Sequence, residues 1–186
     1  MTMEKIVRDE LRTAILKAME ENRYLDVLEG LSTLQASYPE FCERNFQFYL
    51  LQGDALFATQ RFDEAAENYR KVQELEPDNL GICLNLIKTD IGLEQYASAS
   101  EQIQKALTLA TEQDPELMKY LYIQQAEMAY RLQKMDEVYT ALELAAQHGA
   151  MDIDVMDSEF LYNALFDDDR FNEMFERSSQ ASARYG

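Results

Sequence analysis

The chain has 186 residues, of which 35 are acidic and 17 basic, for a net charge of -18 at pH 7. That charge repels phosphate backbones and anionic lipid headgroups, so nucleic acid and membrane surfaces are excluded as partners, while a basic protein surface is compatible with it. Hydrophobic residues make up 47% against only 6 glycines and 3 prolines, which is enough apolar material for a continuous core and too few breakers for a loop-rich or strand-rich fold. The acid itself has two readings: a complement to a basic partner, or solubilising charge on exposed helix faces.

Residues 1–13 are charged and lack an apolar core of the secretory type, so no leader is expected. No stretch approaches the roughly 18–20 apolar residues of a membrane span. Cys42 and Cys83 have neither metal nor disulfide-framework spacing, and a reducing, cytoplasmic setting is expected.

In chain order, apolar periodicity predicts helices over 3–21, 24–37, 39–59, 62–76, 78–93, 96–112, 115–133 and 135–147. They fall into pairs. The first pair, 8–41, carries Leu11, Ala18, Tyr24, Val27, Leu31, Leu34 and Pro39, with Ile15 at a position that is small elsewhere. The second, 46–79, is 34 residues long and places Tyr49, Gly53, Leu56, Phe62, Ala65, Tyr69, Val72 and Pro77 in the same register. Gly53 and Ala65 are expected to let two antiparallel helices approach closely, and Pro77 to stand at the start of the next unit. The third, 80–113, follows without a gap through Leu86, Tyr96, Ala99, Ile103 and Ala106. It has Ile87 where Gly53 stood and Asp90 where Leu56 stood, so a looser crossing is expected there. The fourth, 119–152, keeps Tyr122, Ala126, Ala129, Met135, Val138, Leu142 and Ala145, and Asp114 followed by Pro115 predicts a capped helix start before it.

A 34-residue period of helical pairs with these residues resembles the tetratricopeptide repeat family. Residues 151–176, with Asp157, Phe160, Leu165, Asp169, Arg170 and Phe171, resemble the closing segment of bacterial arrays of that family. The resemblance implies an all-α, right-handed α-solenoid of about four hairpins over 1–150, capping helices over 151–177, and a disordered tail over 178–186. It also implies a concave groove lined by the first helix of each hairpin, and a role as adaptor, scaffold or chaperone. A small acidic secretion chaperone and a self-assembling structural subunit stand as alternatives.

Helical spacing assigns the groove. In the second hairpin it holds Leu50, Asp54, Phe57 and Ala58; in the third Leu84, Asn85, Lys88 and Ile91; in the fourth Tyr120, Ile123, Gln124, Tyr130 and Arg131. Large apolar residues on such a face either bind a partner or pack on neighbouring helices. The reading adopted is binding of a peptide or protein segment with basic and apolar residues. Asn85 is the one agreement with the carboxylate clamp of chaperone-tail binders in the family, which argues against that specificity.

Catalytic chemistry finds no support. His148 is the single histidine and reads as a helix C-terminal charge contact. The aspartates at 152, 154 and 157 and at 167–169 lack the glycine and distal glutamate of a calcium loop, and read as helix caps. No enzyme activity, cofactor or metal is expected.

Overall fold

The computed structural model describes residues 3–110, 114–148 and 159–182. Among them are eleven helices and no strand: α1 (Met3–Glu20), α2 (Tyr24–Ser37), α3 (Pro39–Glu43), α4 (Phe46–Ala58), α5 (Phe62–Leu75), α6 (Leu80–Gly92), α7 (Tyr96–Leu109), α8 (Pro115–Arg131), α9 (Met135–His148), α10 (Glu159–Leu165) and α11 (Asp169–Ser182). The chain divides into two compact units, residues 1–94 and 95–186, and the boundary falls inside the expected third hairpin.

One backbone feature recurs at the expected period. Asn22, Gln60, Glu94 and Gln133 have φ of 56°, 60°, 57° and 60°, and each occupies the same position of its repeat. The left-handed residue ends the first helix and turns the chain into the second. In three repeats the next N–H reaches back to the helix interior: Arg23 to the Ala18 carbonyl, Arg61 to that of Leu56, and Lys134 to that of Ala129, at 2.8 to 2.9 Å. This is the Schellman closure, made here without glycine. Polar, unbranched side chains accept the left-handed region at modest cost.

In the first unit, one core joins Ile15, Val27, Leu31, Leu34, Phe48 and Ala55, and another joins Leu56, Ala65, Tyr69, Val72, Ile82 and Leu86. Small residues set the close crossings, though not in the pairing expected. A Cβ on Gly53 would lie 2.7 Å from the Tyr69 ring, so Gly53 makes room for that ring rather than for Ala65. In the first hairpin the roles are exchanged. Ile15 stands at the Gly53 position, and a Cβ on the facing Gly30 would lie 2.7 Å from Ile15 Cγ1. Asp90 is fully buried and is held by an ion pair with Arg70 of α5 at 3.2 Å.

The single helix expected over 39–59 is two helices. Asn45 interrupts it, its side chain accepting the Gln47 N–H at 3.1 Å as the cap of α4. Asn79 likewise caps α6 through the Ile82 N–H, and Asp114 caps α8 through the Leu117 N–H with Pro115 in the first turn. The cap on Asn79 starts α6 two residues later than expected.

In the second unit α8 and α9 form a hairpin, and α10 and α11 pack on it. Leu161, Leu165 and Phe171 are buried with Ile123, Ala126, Val138, Leu142 and Ala145. Asp168 caps α11 by accepting the Phe171 N–H at 3.0 Å. That helix runs on to Ser182, through part of the expected 178–186 tail. The aspartates at 152, 154 and 157 lie outside the described residues.

Candidate functional site

The first unit carries a cleft of about 260 Å³ lined by Met19, Tyr24, Asp54, Phe57, Ala58, Tyr69, Asn85 and Lys88. Five of these, Asp54, Phe57, Ala58, Asn85 and Lys88, are residues that helical spacing assigned to a groove. Their placement follows from the repeat. Asp54 and Phe57 stand on one face of α4, Asn85 and Lys88 on one face of α6, and both are first helices of their hairpins.

Tyr69 comes from α5 and reaches the cleft across Gly53. Its hydroxyl donates to Asp54 Oδ1 at 2.8 Å. Burial raises the Asp54 pKa, and the tyrosine hydrogen bond only partly opposes that rise. Burial, with the adjacent carboxylate, also pushes the Tyr69 phenol above its ordinary range, so it remains a hydrogen-bond donor at neutral pH. Among the described residues, neither the Asn85 side-chain amide nor the Lys88 ammonium has a hydrogen-bond or ion-pair partner. Asn85 is half-buried, and Lys88 is exposed. Phe57 meets Phe62 edge to face at 5.2 Å and leaves part of its surface in the cleft. The cleft thus offers a desolvated carboxylate, an amide able both to donate and to accept, an ammonium and an apolar wall.

The other assigned residues are placed differently. Leu50 lines a second, apolar cavity of about 400 Å³ with residues of α1, α2 and α3. Leu84 and Ile91 are half-buried on α6 and line neither space. In the second unit Tyr120 is 38% exposed and Gln124 half-buried. Ile123 is only 3% exposed and belongs to the core, a correction to its groove assignment. Tyr130 and Arg131 are corrected for a related reason: helix α10 occupies their face. Tyr130 meets Phe160 edge to face at 5.8 Å. Arg131 lies 3.8 Å over the Phe160 ring and 5.0 Å over Tyr96, and pairs with Glu127 at 2.8 Å.

Three lining residues were missed by helical spacing. Tyr69 reads as core from its register, yet the glycine at 53 beside Asp54 was the available signal that a long side chain could pass there. Met19 and Tyr24 sit at the first helical turn-around and carry no sequence signal for the cleft. His148 stacks on Tyr122 at 5.6 Å. Among the described residues no three His, Cys, Asp or Glu side chains gather as a metal site, and no helix is long and apolar enough to cross a membrane.

Residues 56–122 match the tetratricopeptide repeat family model. Among solved structures, the chain resembles MamA with a TM-score of 0.67 at 12% identity, over 91% of this chain and 94% of that one. It resembles a second structure, MamA MSR-1 C2, with a TM-score of 0.57 at 18% identity over 70% of each chain. TTC0263, a thermophilic repeat protein of the same kind from Thermus thermophilus, gives 0.53 at 19% identity over 86% of this chain and 81% of that one. Likeness at these identities carries the fold and no function. No curated protein matches the sequence.

Proposed function

Because this chain is a tetratricopeptide repeat protein, we propose that its first unit holds a peptide segment of another protein in the cleft between α4, α5 and α6. The repeat fold supports a protein–protein interaction module, and proteins of this class are generally non-catalytic. The observation that carries the finer reading is the convergence of Asp54, Phe57, Asn85 and Lys88 on one cleft, with the amide and the ammonium unpartnered among the described residues. A peptide group is both donor and acceptor, which is what the Asn85 amide matches. An apolar side chain suits Phe57 and Met19. A lysine or arginine suits Asp54, whose charge is poorly solvated and gains from a cation. The occupant is therefore a segment that alternates basic and apolar residues, and the protein acts as an adaptor, scaffold or assembly factor for whatever carries it.

The test uses immobilised peptides of alternating Lys and Leu, with Glu and Leu counterparts, and three proteins: the full chain, Asp54→Asn and Phe57→Ser. Basic–apolar peptides are expected to bind the full chain. Each variant should bind at least tenfold more weakly, a loss of about 1.4 kcal/mol or more. Acidic peptides should not bind.

Asp54→Asn separates binding from folding. A carboxylate whose folded pKa is raised favours folding below its unfolded value and loses that contribution as pH rises through the folded value. The variant is therefore expected to melt higher than the parent at pH 7. The gap should close as pH falls below about 4, the ordinary aspartate range. A variant that melts lower at pH 7, or a full chain that takes acidic and basic peptides alike, contradicts the reading.

A further inference from the structure

The break at Arg44 and Asn45 turns α4 away from a continuous run with α3, and an apolar cavity of about 400 Å³ opens between α1, α2, α3 and α4. Its floor is the buried Ile15, Leu31, Leu34 and Phe48. Leu16, 47% exposed, stands at its rim. Phe41, also lining it, carries two cations on its ring: the Arg8 guanidinium at 4.6 Å and that of Arg12 at 5.6 Å. Arg8 Nε is buried and makes no hydrogen bond among the described residues. Lys5, Arg8 and Arg12 fall on one stripe of α1 with Asp9, which pairs with Arg8 at 3.7 Å, so a chain of net charge -18 presents a net cationic edge beside an apolar socket. The socket selects an apolar side chain flanked by carboxylates.

The second unit displays that combination. Phe166, in the turn after α10, is 56% exposed, the most exposed aromatic among the described residues. Asp167, Asp168 and Asp169 follow it directly. Asp168 is used as the α11 cap, which leaves Asp167 and Asp169 on the surface. The turn is held in shape: the Asn172 amide donates to the Phe166 carbonyl at 3.1 Å, and Tyr162 meets the Phe166 ring edge to face at 5.7 Å.

We propose that a second copy of this chain docks here, its Phe166 entering the cavity between α1 and α4 and its Asp167 and Asp169 facing Arg8 and Arg12. Each copy then carries a socket in its first unit and a plug in its second. The contact joins two different surfaces of the chain, so every copy can both give a plug and receive one. A contact of one aromatic anchor and two ion pairs is small, and the association is of the weak, reversible class. The socket shares no residue with the peptide cleft, so the two readings stand or fall separately.

Sedimentation velocity of the full chain, from micromolar to about millimolar protein, tests the association directly. The expected result is reversible growth beyond the monomer. Phe166→Ser removes the plug, and Leu16→Glu places a like charge at the mouth of the socket. Both positions are exposed, and circular dichroism should find both variants folded. Each variant alone is expected to associate at least about tenfold more weakly than the parent. Their equimolar mixture is the decisive sample. The intact plug of Leu16→Glu fits the intact socket of Phe166→Ser, giving a one-to-one heterodimer and nothing larger. A full chain that stays monomeric, folded variants that associate like the parent, or a mixture that forms no heterodimer overturns the proposal.

Discussion

A chain shortened to end before Glu159 is expected to lose about 5 kcal/mol or more of stability, because Leu161, Leu165 and Phe171 each contribute about 1.5–3 kcal/mol by burial. That is comparable to the whole stability of an ordinary domain. It also bares the face of α8 and α9 that these side chains cover, with Val138, Leu142 and Ala145 in the same core. A repeat stack without a cap exposes its stacking surface, so aggregation and loss of a cooperative transition are the expected signs. Phe171→Ala asks the same question in a chain of full length, at about 3–5 kcal/mol. Denaturant titration checks both. A truncated chain as stable and as monodisperse as the parent would mean that α10 and α11 are appended to the array without closing it.

Gly53→Leu is expected to cost about 1–3 kcal/mol, since a larger side chain must displace the Tyr69 ring from a crossing that leaves no room even for a Cβ. Displacing that ring also removes the hydroxyl from Asp54, so the substitution damages the cleft as well as the core. Combining it with Tyr69→Ala should recover part of the lost melting temperature, because the clash is with that ring specifically. An unchanged melting temperature for Gly53→Leu alone contradicts the assigned crossing.

The repeat register was legible because small and large residues recur at fixed offsets where helices must meet. Four left-handed residues, Asn22, Gln60, Glu94 and Gln133, recur at a constant position of it. The pairing inside each crossing was not legible. Glycine on one helix with tyrosine on the other, and isoleucine with glycine in the reverse order, fill the same space, and spacing alone cannot say which side chain crosses. The break before α4 rests on a single side-chain cap at Asn45, a local competition between backbone and side chain that apolar periodicity does not register.

The groove assignment divides along the same line. Asp54, Phe57, Asn85 and Lys88 converge because helical spacing fixes which residues share a face. Ile123, Tyr130 and Arg131 are on the predicted face of α8 too, but α10 lands there. What covers a face is decided by tertiary packing from a segment more than twenty residues away, and periodicity within a helix carries no record of it.

A partner segment lying in the first unit's cleft is open to site-specific photo-crosslinking in cells. Ala58 is exposed and lines the cleft, whereas Glu67 is exposed on α5 and does not line it. With a photoreactive phenylalanine at each position in turn, a discrete protein adduct is expected from position 58, lost on adding Asp54→Asn, and none from position 67. An adduct from position 67 alone, or one from position 58 that persists with Asp54→Asn and Phe57→Ser together, would contradict that placement.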